Sequence, residues 1–241
     1  LRDWGFNLNL GPVVDVDVNP ANPIIGALGR RFSADPDAVA QYAAAFVAGH
    51  RREGVLTALK HFPGHGSSRD DSHKGFVDIT ATWTPVELVP YRRLIAEGLA
   101  DIVMPGHLYL EQMTDPGGRL PSSLSRTAQD VLRNDLGFAG VIISDDMEMQ
   151  AIEADYTLEE AAVDAIRAGT NILIYSNYAH QRPDLPRELA AILVRRAGED
   201  AELRRPPLPP AEGGAASPPA RSCGRSARRR RGWWSPGRAH R

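Results

Sequence analysis

Residue types that bind or protonate ligands are concentrated in the segment Lys60-His-Phe-Pro-Gly-His-Gly66. His61 and His65 lie four residues apart, and on a helix that spacing would place both imidazoles on one face, where they could bind a metal ion. Pro63 and Gly64 between them exclude a regular helix, and no third ligand follows at a suitable spacing, so we expect no metal and no cofactor. A Lys-His pair followed by a bent loop is better suited to hydrogen bonding with a polyhydroxylated ligand.

Two further segments could transfer a proton or attack an electrophile. Asp71 and His73 lie two residues apart, where a carboxylate can pair with an imidazole, fix its tautomer and raise its basicity. This pattern is also frequent by chance, so the spacing alone leaves the role open. Asp145 and Asp146 follow an apolar run, and one of them could be a covalent nucleophile. The alternative is that both are acids at the start of a helix.

Five short apolar runs must supply the framework that positions these residues. The runs are rich in Val, Ile and Leu and do not alternate strictly with polar residues; they lie at residues 6–14, 55–59, 101–104, 141–143 and 171–175. Such runs are typical of strands that are buried on both faces of a parallel sheet.

Amphipathic helices are predicted between and after these runs. An apolar stripe marks residues 39–47, and Thr84-Pro-Val-Glu87 and Thr157-Leu-Glu-Glu160 both have the pattern of a capping box. Residues 125–136 present one apolar face before Gly137, a helix stop signal. A last helix is predicted over residues 187–196.

Repeated strand–helix units indicate an α/β protein with a parallel sheet, either an open doubly wound sheet or a (β/α)8 barrel. Each run is followed by polar residues that could line one end of a barrel, namely Asp15, Lys60-His61, His107, Asp145-Asp146 and Asn177. The sequence has no glycine-rich phosphate loop, so this arrangement favours the carboxyl-terminal mouth of a TIM barrel. Only about five of eight strands are identified. Because the chain begins at Leu1 within a strand-like pattern, we expect an N-terminally truncated barrel.

Composition and charge narrow the possible functions. The chain has 241 residues, of which 42% are hydrophobic, and a net charge of −2. It has one cysteine, and this single cysteine excludes a disulfide framework and a four-cysteine zinc site. No segment has the length of apolar sequence that spans a membrane. Residues 1–196 form the predicted domain. Residues 197–241 carry ten Arg and four acidic residues, a net charge of +6, with many Pro and Gly.

That composition predicts a disordered tail. A solvated tail and an out-of-frame translation both remain open interpretations of it, and its basic run is a weak sign of RNA or membrane binding. We therefore expect neither a nucleic-acid nor a membrane partner, and no oligomeric state is predicted. The expected location is cytoplasmic. Because the N-terminus is expected to be missing, the lack of an export signal carries no information about export.

Three segments together resemble glycoside hydrolase family 3, specifically its bacterial β-N-acetylglucosaminidase branch. They are residues 60–66, the Asp71-Ser-His73 triplet and Ile143-Ser-Asp145, and the resemblance extends over about residues 1–195. It implies a retaining hydrolase of terminal β-linked N-acetylglucosamine, from muropeptides or from chitin-derived sugars. A β-glucosidase or xylosidase of the same family and a non-catalytic sugar-binding remnant are the alternatives.

The resemblance also implies a role for each site residue. Asp145 matches the nucleophile, His73 matches the general acid/base, and Asp71 matches its orienting partner. Three further residues match sugar-binding positions, namely Arg30, Lys60 and His61. Asp15 and His107 are expected to be structural or supporting residues rather than catalytic ones.

The chain also departs from the family pattern. Ser67 stands where an Asp is frequent, and Phe76-Val77 stands where a Leu-Pro pair is common. The resemblance implies that an Asp and an Arg that hold the sugar belong to strands absent from this chain. We therefore expect the 241-residue chain alone to be inactive and prone to aggregation through its open sheet edges.

Overall fold

A computed structural model describes residues 1–178 and 181–204. Its helices and strands alternate along the chain. In order they are β1 (Leu8–Asn9), α1 (Pro36–Arg52), β2 (Leu56–Phe62), β3 (Val77–Asp78), α2 (Val89–Ala96), β4 (Ile102–Pro105), β5 (Leu108–Tyr109), α3 (Arg126–Asp130), β6 (Val141–Asp146), α4 (Gln150–Glu153), α5 (Leu158–Ala168), β7 (Ile172–Ile174) and α6 (Leu185–Glu199). Short 3-10 turns at Arg2–Trp4, Pro85–Leu88 and Glu111–Met113 and a π-helical turn at Val131–Asp135 complete the described elements.

The main sheet has five strands in the order β1-β2-β4-β6-β7, and each strand pairs in parallel with its neighbours. Each strand falls within or overlaps one of the five predicted apolar runs. The parallel order along the chain confirms the predicted α/β class and the incomplete barrel of about five strands. In the described part of the chain, β1 and β7 are the two edges of this sheet, and β3 and β5 form a separate parallel pair.

Helices cover one face of the sheet, because the strand side chains on that face are apolar and pack against the apolar side of α1. Val103 and Ile142 from adjacent strands are buried in the same cluster as Val39, Ala43 and Val47 of α1. These three residues belong to the predicted apolar stripe, whereas Tyr42, which the stripe also included, is exposed. At about 25 cal/mol per Å² of buried apolar area, this contact is the main force that holds the helix layer against the sheet.

Two segments with the same capping-box pattern, at Thr84 and Thr157, form different hydrogen bonds. Thr157 caps α5 and forms both reciprocal bonds with Glu160, as predicted. The capping box predicted at Thr84 is wrong, because the Thr84 side chain makes no capping bond. The Glu87 carboxylate instead accepts the Gly66 backbone N–H. Glu87 is therefore directed towards the segment 60–66 that the sequence singles out.

The other helix signals are confirmed with shifted bounds. Ser125 caps α3, and the helical path continues through the π-helical turn to Gly137, whose φ of 69° ends it. The last helix, α6, extends to Glu199, three residues past the predicted domain boundary at 196. That boundary stays a prediction, and residues 205–241 of the predicted tail lie outside the described residues. Among those described, none of the helices combines the length and apolar character needed to cross a bilayer.

Candidate active site

Asp15 is the organising residue at the carboxyl-terminal end of β2. The N–H of the preceding residue, Val14, donates to Lys60 O at 2.8 Å, which aligns the segment with β2. The fully buried Asp15 carboxylate accepts the backbone N–H groups of His61 at 3.1 Å and His65 at 2.8 Å through Oδ1, and it contacts His61 Nδ1 at 2.8 Å through Oδ2. Burial raises the pKa of Asp15, but the electrostatic interactions and hydrogen bonds with the two histidines outweigh burial, so this pKa lies below its ordinary value.

The three predicted sugar-binding residues meet beside this carboxylate. Arg30 Nη2 lies 3.5 Å from His61 Nε2, and Nη1 of the same guanidinium donates to a backbone carbonyl at 3.2 Å. Lys60 precedes His61 on β2. Burial and the Arg30 charge lower the Lys60 pKa, while Asp145 and Asp15 oppose that shift. Since Asp15 receives the Nδ1 proton of His61, Nε2 carries the lone pair and lies at the long distance of 3.5 Å from Arg30 Nη2.

The neighbouring Arg31 has a different environment. Its Nε forms an ion pair with Asp17, and its Nη1 donates to Gly26 O. Both partners lie within the same loop, so Arg31 stabilises the loop that presents Arg30. The choice of Arg30 over Arg31 as the sugar-binding residue, made from sequence register, stays a prediction.

Asp145 is the second-last residue of β6 and lies within the same group of charges. Burial raises its pKa, but electrostatic interactions with His61, His107 and Lys60 and the hydrogen bond from the N–H of the next residue outweigh burial, so the Asp145 pKa is lowered. The result is a desolvated yet ionised carboxylate. Such a group can attack an electron-poor carbon or stabilise positive charge on it.

Asp146 has a structural environment instead. Its Oδ1 accepts the backbone N–H groups of Glu148 at 3.2 Å and Ser176 at 3.0 Å, and its carbonyl contacts His107 Nε2 at 2.9 Å. The two adjacent acids therefore differ: the pKa of Asp145 is lowered by nearby basic residues, whereas Asp146 holds the turn after β6. His107 also contacts Ser123 Oγ at 2.7 Å through Nδ1, so both of its ring nitrogens have partners.

Asp71 and His73 form the pair that their spacing predicts. Asp71 Oδ1 accepts the His73 backbone N–H at 2.9 Å and lies 2.8 Å from His73 Nδ1. Burial raises the Asp71 pKa, but the hydrogen bonds with His73 outweigh burial, so the Asp71 pKa is lowered overall. The His73 side chain is 54% exposed. Among the described residues no hydrogen bond joins this pair to Asp145, so the loop presents an accessible imidazole apart from the buried acid.

Glu87 is a site residue that sequence reasoning did not identify. Its Oε2 accepts the Gly66 N–H at 2.8 Å, and burial raises its pKa to about 7. A Cβ on Gly64 would lie 2.5 Å from Glu87 Cβ, and one on Gly66 would lie 1.7 Å from Val16 O. Both glycines are therefore required by close packing, and Glu87 closes the back of the loop. The only sequence signal was an acid in a capping pattern.

The described residues offer little to a metal ion. Within residues 1–178 and 181–204, no three His, Cys, Asp or Glu side chains come together as a group that could bind one. The site consists instead of two basic side chains, a pair of linked imidazoles and separate carboxylates, which suits binding and cleavage of a neutral polar ligand.

Comparison with known proteins identifies relatives of this chain. Residues 1–196 match the glycosyl hydrolase family 3 N terminal domain. The chain is 37% identical over 216 residues to the beta-hexosaminidase LpqI of Mycobacterium tuberculosis, a match that covers 83% of this chain and 51% of that protein. It is 38% identical over 176 residues to a beta-hexosaminidase of Tolumonas auensis, covering 71% of this chain and 50% of that protein.

The structural comparison agrees. The crystal structure of the beta-N-acetylhexosaminidase from Beutenbergia cavernae superposes with a TM-score of 0.76 at 34% identity, covering 85% of this chain and 60% of that one. The chain thus spans about half the length of the curated relatives it matches. The family match extends over more than half of the chain, from the segment that carries Asp15 to α6. The chain therefore belongs to glycosyl hydrolase family 3.

Proposed function

We propose that this chain forms part of a retaining β-N-acetylhexosaminidase, which removes terminal β-linked N-acetylglucosamine from muropeptides or chitin-derived sugars in the cytoplasm. The observation that carries the proposal is the division of the acids. Asp145 is ionised through its electrostatic interaction with nearby His61 and Lys60, whereas the exposed His73 pairs with Asp71 on a separate loop. The names of the relatives support glycoside hydrolysis.

In the first step the Asp145 carboxylate attacks the anomeric carbon. The bond between that carbon and the leaving oxygen breaks, and the protonated His73 donates its proton to that oxygen. The product is a glycosyl ester on Asp145 and a neutral imidazole. Asp71 stabilises the imidazolium before transfer and fixes the ring orientation through Nδ1. This scheme replaces the acid carboxyl of the common two-carboxylate mechanism with an imidazole.

In the second step the neutral His73 removes a proton from water as the water oxygen attacks the anomeric carbon. The ester bond breaks, Asp145 leaves as a carboxylate, and the sugar is released with its original configuration. Histidine suits both steps because it can give and take a proton near neutral pH. The exposure of His73 allows it to reach both the leaving oxygen and solvent water.

Three residues bind the sugar in this proposal. The Lys60 ammonium and the Arg30 guanidinium donate to hydroxyl oxygens. The sugar replaces the 3.5 Å contact between Arg30 Nη2 and His61 Nε2, so that Nε2 accepts from a hydroxyl. Asp15 holds His61 in the required tautomer. Partial desolvation strengthens these bonds, because the same pair of charges attracts more strongly where water is excluded.

The test uses a chimera as well as the chain itself. In the Mycobacterium tuberculosis relative, the segment aligned with this chain is replaced by residues 1–196, so that the remainder of a complete relative is present. Both proteins are assayed with the p-nitrophenyl derivatives of β-N-acetylglucosamine and β-glucose. The matched variants are Asp145→Asn and Asp146→Asn.

We expect the chimera to hydrolyse the N-acetylglucosaminide at least about tenfold faster than the glucoside. We also expect Asp145→Asn to abolish turnover, whereas Asp146→Asn should retain a measurable rate. Preference for the glucoside would support the β-glucosidase alternative and overturn the proposed specificity. Binding of N-acetylglucosamine by calorimetry without any turnover in a folded chimera would overturn the proposed catalysis and favour a sugar-binding remnant.

A further inference from the structure

His65 has no part in the proposed reaction, yet both of its ring nitrogens are bonded. The side chain is buried, with 2% of the residue exposed. Nδ1 lies 2.7 Å from Ser68 Oγ, and Nε2 lies 3.3 Å from Ser72 Oγ. The backbone N–H of His65 donates to Asp15, which also holds His61. The imidazole thus connects the end of β2 to the residue between Asp71 and His73.

The surrounding hydrogen bonds define the direction of this connection. Ser68 Oγ lies within hydrogen-bond distance of two carbonyl oxygens, those of His65 at 3.1 Å and Asp70 at 3.3 Å, so its single proton is used there. It therefore accepts from Nδ1–H of His65. The Nε2 lone pair is then free, and the Ser72 hydroxyl donates to it. Burial lowers the pKa of His65 to about 4, so the ring stays neutral at physiological pH.

Ser72 has a second anchor on the other side of the site. Its carbonyl oxygen accepts the Ala151 N–H at 3.3 Å, at the start of α4 just beyond β6. Ser72 itself is buried, whereas the His73 imidazole beside it is exposed. One fixed residue at the centre of the loop thus determines where the Asp71 and His73 side chains project.

We propose that His65 is a positioning residue that accepts the Ser72 hydroxyl at Nε2 and thereby holds the Asp71–His73 pair in register with the sugar-binding end of β2. The structural part, that this bond orders the loop, is independent of the reaction. The catalytic part rests on the proposed function, because it assigns the ordered loop a role in proton transfer. A single neutral hydrogen bond of this kind corresponds to about a three- to tenfold effect on the population of the ordered loop.

The experiment removes each partner of the bond in the chimera described above. His65→Asn retains a donor where Nδ1–H lies, which preserves the Ser68 contact, but it has no group at the Nε2 position. Ser72→Ala removes the hydroxyl alone. Ser122→Ala is the matched control, because Ser122 is also a buried serine whose hydroxyl donates to a backbone carbonyl, that of Leu108 at 2.9 Å.

Two readouts separate loop order from catalysis. Arg69 and Lys74 are exposed and flank the loop, so the rate of tryptic cleavage after them measures its opening without any substrate. The second readout is kcat and KM for N-acetylglucosaminides with good and poor leaving groups. A positioning role predicts that kcat for the poor leaving group falls most, because proton donation matters most there.

We expect both variants to raise tryptic cleavage and lower kcat about three- to tenfold, with KM nearly unchanged and with the double variant no worse than either single one. Cleavage and kcat values equal to those of Ser122→Ala would overturn the proposal, and so would losses that multiply in the double variant. Faster cleavage in the variants of a protein that hydrolyses nothing would support the loop anchor while overturning the proposed function.

Discussion

The buried carboxyl of Glu87 predicts an unusual dependence of stability on pH. Burial raises its pKa from 4.5 to about 7 in the folded chain, so the folded state holds the proton more tightly than the unfolded state does. The stability associated with the neutral form is complete below pH 4.5 and is lost as the pH rises through about 7. Each pH unit between the two pKa values corresponds to about 1.4 kcal/mol, which gives a loss of about 3 kcal/mol in total.

The variant Glu87→Gln isolates this effect because its side chain is neutral at every pH and can still accept the Gly66 N–H. The amide nitrogen takes the place of Glu87 Oε1, which is buried without a partner, so the variant has a constant cost of its own. The measurable quantity is therefore the change with pH in the difference between the unfolding free energies of variant and wild type. From pH 5 to pH 8 that difference should move by about 2.5 kcal/mol in favour of the variant.

Urea unfolding followed by circular dichroism at the two pH values measures both free energies in the 241-residue chain, or in the chimera if the chain aggregates. Glu97→Gln, which removes an exposed carboxyl near the end of α2, is the matched control. A difference between Glu87→Gln and wild type that stays constant within about 1 kcal/mol would refute the argument from burial. An equally large shift in the control would show that the effect does not come from the buried site.

Three further predictions concern the reaction and the loop. Asp145→Asn should lower kcat at least about a thousandfold without changing the circular dichroism spectrum, and a 2-fluoro sugar inhibitor should label Asp145; mass spectrometry that finds the label on the following residue would contradict the assignment. His73→Ala should slow hydrolysis of poor leaving groups by about 10²–10⁴-fold, with Asp71→Ala adding little in the double variant; independent, multiplying losses would rule out a single proton-transfer unit. Gly66→Ala should lower the free energy of unfolding by more than about 2 kcal/mol because its Cβ would overlap a backbone carbonyl. Gly49→Ala, in open space on α1, should raise that free energy by about 0.5–1 kcal/mol, and thermal unfolding that finds equal effects at the two positions would contradict the packing argument.

The positions of the five strands in the main sheet could be predicted from sequence, because burial on both faces requires local runs of apolar residues. The runs at 101–104 and 141–143 became β4 and β6 with small changes in their bounds. The contact between Asp71 and His73 was also predictable, since two residues of chain separation in a loop are enough to bring the groups together. Local chemistry likewise sufficed for the capping box of Thr157 and Glu160.

Other parts of the candidate site depend on contacts between distant segments. Asp15 holds His61 and His65 across 46 and 50 residues, and no spacing in the sequence indicates that pairing. The bond between His65 and Ser72 requires the loop to fold back over the end of β2.

Thr84 and Glu87 give the most direct contrast between local and tertiary control. Their spacing equals that of Thr157 and Glu160, yet Glu87 bonds to Gly66 instead of closing a capping box. An exposed helix start leaves the carboxylate free to bond within its own turn. At Thr84 the helix start packs against a glycine loop, and the Gly66 N–H of that loop also needs an acceptor. Leaving that buried donor unpaired would cost about 1–3 kcal/mol. Local sequence is therefore enough to predict the strands of the main sheet and the pairs within a few residues, whereas contacts between distant segments select which carboxyl meets each buried donor.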